Sequence, residues 1–95
     1  MLRDSFESRH ARSQTKLIEF LQSDLDVAFA MLNAAELEDD QECYKSALER
    51  ARVALDTIRG LEERIEDAGA FRDIRARAGE LGATLNGFFK IKATP

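Results

Sequence analysis

The chain has 95 residues, of which 34% are charged, and a formal net charge of −4; this composition fits one small domain exposed to water. The acidic balance argues against a dedicated nucleic-acid-binding protein, because such proteins usually carry a basic face. One cysteine and one histidine are too few for an internal disulfide or a typical zinc site. Residues 1–12 lack the apolar segment of a signal peptide, and no run of 18 apolar residues predicts a membrane span. We therefore expect a cytoplasmic protein that binds neither nucleic acid nor a membrane.

The first predicted helix, from about residue 5 to residue 37, carries the widest apolar surface. Asp4 and Glu7 have the spacing of a capping box at its start, although residues 1–12 have little to bury and are expected to fray. One apolar stripe consists of Leu17, Ile18, Leu21, Leu25, Ala28, Phe29, Leu32 and Ala35, and it is widened by Phe20, Val27, Met31 and Ala34. Together they span about 220° of the helix, whereas packing on one side of a core needs little more than about 100°. This helix therefore needs more than one neighbour.

The second predicted helix extends over residues 41–66, with Asp39 as its N-cap and Glu42 three residues later. Its apolar residues recur at steps of three and four: Tyr44, Leu48, Ala51, Leu55, Ile58, Leu61 and Ile65. Gly60 costs about 1 kcal/mol inside a helix. Because the pattern continues beyond Gly60, we expect one helix with a weak point there, the alternative being a helix that ends at Gly60.

The third predicted helix extends over residues 70–89, with a loose segment at residues 91–95. Its apolar residues have the same spacing: Phe71, Ile74, Ala78, Leu81, Leu85 and Phe88. At its start, either Gly69 takes a left-handed conformation that ends the preceding helix or Asp67 caps the new one. No segment alternates with period two, so no sheet is expected. Short connections between long helices predict an all-α, antiparallel, up-down-up three-helix bundle that forms a single domain over residues 1–95.

Asp24 lies within the broad apolar surface of the first helix. A buried carboxylate is costly unless it is paired. Two interpretations follow: Asp24 fixes the register of an interface or meets a cationic ligand, or it lies where two packed stripes meet and bonds to an arginine or reaches water. The second interpretation assumes no specific function for Asp24, and it is therefore preferred.

Few residues indicate catalysis. Arg3 and His10 have the spacing of the ribonuclease motif of the HEPN helical family, and this resemblance implies a nuclease as a remote alternative. The simpler interpretation is that His10 is a solvated side chain. Cys43 lies in the first turn of the second helix among acidic neighbours, which favours an inert thiol. We expect a non-enzymatic protein with no cofactor, no metal and no evident small-molecule ligand.

Residues 28–58 are predicted to form a helical hairpin, and the residue spacing in each of its two helices resembles that of known families. The pattern Tyr44-x-x-Ala47-Leu48-x-x-Ala51-x-x-Ala54-Leu55 resembles the second helix of a tetratricopeptide repeat, and Phe29-x-x-Leu32 resembles the spacing in the first. The three-helix microtubule-interacting-and-trafficking domain is similar around Tyr44. Both resemblances imply a packed helical hairpin and a groove for a partner helix.

The breadth of the first apolar surface predicts a small structural or interaction protein that self-associates, most simply as a homodimer. The expected interface residues are Phe20, Asp24, Val27, Met31 and Ala34. A second hypothesis is a monomeric binding module that presents the same surface to a partner helix or peptide. Small residues on the third helix, namely Ala76, Gly79, Ala83 and Gly87, have two equally weighted interpretations: a second contact face, or a solvent-facing side that carries small residues.

Overall fold

Three α-helices and one short 3₁₀ turn account for nearly all of the backbone in the computed structural model, which describes the backbone of residues 2–93 and the side chains of residues 8–88. The elements are α1 (Leu2–Glu36), α2 (Gln41–Leu61), the 3₁₀ turn (Glu62–Arg64) and α3 (Ala68–Ala93). Residues 2–93 contain no strand, so the chain is an all-α three-helix bundle, as the periodicity predicts. Met1, Thr94 and Pro95, which belong to the segments expected to fray, lie outside the described residues.

Helix α1 is continuous from Leu2 to Glu36, three residues longer at its start than predicted. It contains neither Gly nor Pro, so nothing in the sequence interrupts its hydrogen bonds. The helix tightens at its end, where the N–H groups of Leu37 and Glu38 donate to the carbonyls three residues earlier. At about 1.5 Å per residue, α1 is about 52 Å long and α2 only about 32 Å. Part of α1 therefore extends beyond its neighbour.

The N-cap of α2 is Asp40, not Asp39 as predicted. The Asp40 carboxylate accepts from the N–H of Glu42 at 2.8 Å and from the N–H of Cys43 at 3.2 Å. The Glu38 carboxylate in turn accepts from the Asp40 N–H at 3.0 Å. Asp39 and Asp40 are equally suitable N-cap residues by side-chain chemistry. The hydrogen bond with Glu38 favours Asp40, because it fixes the backbone immediately before α2.

The prediction that α2 continues to residue 66 is wrong, since the α-helix passes Gly60 and ends at Leu61. After the 3₁₀ turn, Ile65 is extended (φ −74°, ψ 124°) and buried in the core. The Gln14 side chain of α1 donates to the Arg64 carbonyl and accepts from the Glu66 N–H, both at 3.0 Å. These bonds to another helix satisfy backbone groups at the turn, so the chain can leave the helix there.

Helix α3 begins at Ala68 and reaches Ala93, longer at both ends than the predicted 70–89. Of the two predicted starts, the Asp67 cap is correct: its carboxylate accepts from the Ala70 N–H at 2.8 Å. No glycine within residues 2–93 has a positive φ, so Gly69 does not take the left-handed conformation. The longer helix places Lys90 and Lys92 inside its last turns, where positive charge is favourable.

The core is formed by one apolar stripe from each helix together with Ile65 of the α2–α3 connection. Its buried members are Leu21, Leu25, Ala28, Leu32, Ala35, Leu48, Ala51, Leu55, Ile58, Ile65, Ile74, Ala78, Leu81, Leu85 and Phe88. Gln14 of α1 contacts the α2–α3 connection, and the Tyr44 ring of α2 packs 6.0 Å from the Phe88 ring of α3. An up-down-up course requires contacts of this kind at opposite ends of the bundle. They favour the antiparallel arrangement, which stays a prediction.

Glycine in the middle of α3 is expected to reduce stability. Gly79 is exposed, and a Cβ added there would meet nothing within 4 Å. Gly79→Ala should therefore raise the free energy of unfolding by about 1 kcal/mol and the Tm by about 4–8 °C, measured by thermal and urea unfolding. The control is Gly82→Ala, because Gly82 is buried and its Cβ would lie 3.0 Å from the Arg59 guanidinium. A loss of stability in Gly79→Ala would contradict this reading of α3.

Candidate interaction surface

Helix α1 carries two neighbouring apolar stripes, and the rest of the chain buries only one of them. The core stripe consists of Leu21, Leu25, Ala28, Leu32 and Ala35, each at most 2% exposed. The outer stripe consists of the residues that immediately precede them: Phe20, Asp24, Val27, Met31 and Ala34. Both stripes have the alternating four- and three-residue spacing of a heptad seam. A heptad seam is a surface suited to a second helix.

Side chains of the outer stripe remain accessible in the single chain. Phe20 is 51% exposed and Val27 is 46% exposed, Ala34 is exposed, and Met31 and Asp24 are half-buried. The structure thus places all five predicted interface residues on one continuous face of α1, not in the core. Phe20 and Val27 are two of the four large apolar side chains that are exposed within residues 8–88, the others being Leu37 and Val53.

Helix α3 covers the opposite flank of the core stripe. Arg77 donates to the side chain of Gln22 and, at 2.6 Å, to the Asp26 carboxylate. Its guanidinium also lies 5.8 Å from the centre of the Phe29 ring. These three α1 residues lie on the other side of the core stripe from Phe20 and Val27. The position of α3 therefore explains why the outer stripe stays uncovered.

Asp24 lies in the middle of the outer stripe and is half-buried. Its neighbours at one helical turn are Phe20, Leu21, Val27 and Ala28. The nearest ionic contact on α1 is the pair between Asp26 and Arg77, which faces the other flank. Asp24 is thus a half-buried residue on an apolar face, a position that both interpretations allow.

Charge is distributed unevenly along α1. Between Ser8 and Lys16 the sequence has Arg9, His10, Arg12 and Lys16 and no acidic residue. Between Lys16 and Lys45 it has no basic residue and eight acidic ones: Glu19, Asp24, Asp26, Glu36, Glu38, Asp39, Asp40 and Glu42. Arg9, Arg12, Lys16 and the acidic turn Glu38–Asp40 are all exposed. Along the sequence of α1, basic residues thus precede the outer stripe and acidic residues follow it, and Glu66 of the α2–α3 connection pairs with His10 beside the basic segment.

The remaining candidate groups do not converge on a reactive centre among the described side chains. His10 pairs with Glu66 of the α2–α3 connection, and the side chain of Arg3, its suggested catalytic partner, lies outside the described side chains. Cys43 is exposed. No group of three or more His, Cys, Asp or Glu residues that could hold a metal ion occurs in the described part of the chain.

One polar pocket, of about 210 Å³, lies between α2 and α3 beside Arg59, Gly82 and Asn86. The Arg59 guanidinium occupies the space that the missing side chain of Gly82 leaves. The pocket and the contact of Arg59 with Gly82 are both features of the packing between α2 and α3. The small-residue face of α3 is likewise open, since Ala76, Gly79 and Ala83 are exposed.

The spacing of apolar residues alone predicts the outer stripe, whereas the charge separation along α1 is not among the features predicted from the sequence. The signal was present as the absence of Lys and Arg between Lys16 and Lys45. The charge separation matters for an interface only if the charged residues beside the outer stripe are exposed. The structure shows this exposure for Arg9, Arg12, Lys16 and Glu38–Asp40.

Comparisons with known proteins assign the chain to no family. Residues 28–58 form the end of α1, a turn and most of α2, so the predicted helical hairpin is present, while its relation to the tetratricopeptide or microtubule-interacting families stays a prediction. No described helix has both the length and the apolar character needed to cross a bilayer. No family model, curated protein or solved structure matches this chain.

Proposed function

We propose that the protein is a non-enzymatic interaction module that self-associates through the outer stripe of α1 to form a homodimer. The observation that carries the proposal is the second heptad seam, on which Phe20 and Val27 stay about half exposed. Burying apolar surface stabilises an association by roughly 25 cal/mol per Å² before the costs of ordering are subtracted. A face on a single straight helix meets an identical face most simply about a two-fold axis.

The shape of the chain supports this proposal. Its principal extents are 64 × 20 × 16 Å and its radius of gyration is 16.7 Å, whereas a compact chain of this length has a radius of about 12 Å. The long dimension follows α1, whose end extends past α2. A rod of this kind offers a long, accessible helix face along which a partner helix can lie.

Intermolecular nuclear Overhauser effects test the proposal. In an equimolar mixture of isotope-labelled and unlabelled chains, we expect intermolecular signals from the methyl groups of Val27, Met31 and Ala34 to side chains of α1. Ala83, on the exposed face of α3, is the internal comparison and is expected to give none. Intermolecular signals confined to Ala83 would contradict the choice of surface, and their complete absence at millimolar concentration would contradict self-association.

The carboxylate of Asp24 is expected to weaken this association, because the dimer places it in an apolar seam. Asp24→Leu should lower the dissociation constant about tenfold or more, since a desolvation cost is removed and apolar contact is added. Isothermal titration calorimetry, in which a concentrated solution is diluted so that the dimer dissociates, measures the change in dissociation constant. The matched control, Asn33→Leu, adds the same side chain at an exposed position of α1 away from the stripe. An equal effect of both substitutions would show that added hydrophobicity, not the seam, is responsible.

A further inference from the structure

Given the proposed homodimer, on which this inference rests, we infer that the two chains pair their α1 helices antiparallel, with the two-fold axis between residues 25 and 26. The partner is a second copy of the chain in one defined orientation and register. Two independent observations specify it: the symmetry of the outer stripe and the separation of charge along α1.

When Leu17 is added to the outer stripe, its residues have the same spacing, three, four, three, four and three, in both directions along α1. In the proposed register, Phe20 lies opposite the partner's Met31, and Asp24 lies opposite the partner's Val27. Leu17, which is half-buried beside the core, lies opposite the partner's Ala34. Each layer thus pairs a larger side chain with a smaller or differently shaped one, which favours interdigitation of the seam. A parallel pair in register would instead place the two Asp24 carboxylates against each other, and like charges at close range repel.

Charge selects the same orientation. The antiparallel arrangement brings the basic segment Arg9–Lys16 of each α1 towards the partner's acidic turn Glu38–Asp40, which directly follows the end of α1 at Glu36, and symmetry produces this approach twice. The parallel arrangement would place the two basic segments side by side and the two acidic turns side by side. Exposed ion pairs contribute little affinity individually, but opposed patches of charge determine which orientation two surfaces adopt. Charge complementarity therefore selects the antiparallel copy.

Spin-label distances test the orientation. Cys43→Ser removes the native thiol, and Ser13→Cys and Ser23→Cys each introduce one label at an exposed position of α1. In the antiparallel dimer, the backbone separation between the two copies of residue 13 is about 38 Å along the axis and that of residue 23 is about 8 Å. In a parallel dimer both pairs lie about 10 Å apart, the usual distance between packed helices. A short distance at both positions would contradict the antiparallel orientation, while it would remain consistent with the proposed homodimer.

Charge reversal tests the contact between the two ends. Arg12→Glu and Asp39→Arg should each weaken self-association about tenfold, and an equimolar mixture of the two variants should recover wild-type affinity, measured by sedimentation at low ionic strength. Both residues are exposed, and Asp39 does not cap α2, so circular dichroism should show an unchanged fold. In a parallel dimer, Arg12→Glu would leave the affinity equal or tighter, which overturns the inference alone. A wild-type chain that is monomeric throughout overturns the proposed function, and this inference with it.

Discussion

The double variant Phe20→Glu/Val27→Glu is expected to be monomeric, with self-association weakened about 100-fold or more, a change of about 2.8 kcal/mol. Each dimer would then bury four carboxylates in the seam in addition to the two of Asp24, without partners for their charge. The fold should remain, because both side chains are about half exposed in the single chain and glutamate suits a helix at least as well as phenylalanine or valine.

Sedimentation velocity gives the size of this variant, and circular dichroism reports its helix content. Val53→Glu is the matched control, since Val53 is 64% exposed on α2 and lies off the outer stripe; it should associate like the wild type. A double variant that associates as strongly as the wild type would exclude the outer stripe as the interface. Equal weakening by Val53→Glu would show that net charge, not the stripe, controls association.

Leu25→Ala is expected to have the largest effect on the fold. Leu25 is 0% exposed at the centre of the core stripe, and truncating such a leucine costs about 2–5 kcal/mol through lost transfer energy and the cavity it leaves. The total stability of a chain this small is about 5–14 kcal/mol. The Tm should therefore fall by about 10–30 °C, measured by thermal unfolding at a fixed protein concentration.

Val27→Ala is the control for Leu25→Ala, since it truncates a side chain two positions away that belongs to the outer stripe. It should change the unfolding of the monomer by less than about 1 kcal/mol, as is usual for exposed positions, and its main effect should be on association. Equal destabilisation by the two substitutions, measured at a concentration where the protein is monomeric, would contradict the division of α1 into a core stripe and an outer stripe.

Most of the fold follows from periodicity in the sequence. The three- and four-residue steps of apolar residues identify three helices and the core stripes, because these steps are what place side chains on one face. The ends of the helices depend on contacts that the local pattern does not contain. Gln14 bonds to the backbone around Arg64, so α2 stops at Leu61 although Ile65 continues its apolar spacing.

The interaction surface is predictable only in outline. The breadth of the apolar face of α1 follows from helix geometry, and it places Phe20 and Val27 outside the core stripe. Which flank stays open does not follow from the α1 sequence, because it depends on where Arg77 of α3 binds. Met31 shows the same limit: it belongs to the outer stripe by spacing, yet it is half-buried in the single chain.

The mass of the wild-type protein in solution decides whether the chain self-associates. Sedimentation equilibrium from about 1 µM to about 500 µM covers the range in which a modest helix–helix interface associates. For a homodimer we expect the average mass to rise from 10.7 kDa, the mass of one chain, to twice that value and then to stay constant. A mass of 10.7 kDa at every concentration would contradict the proposed homodimer.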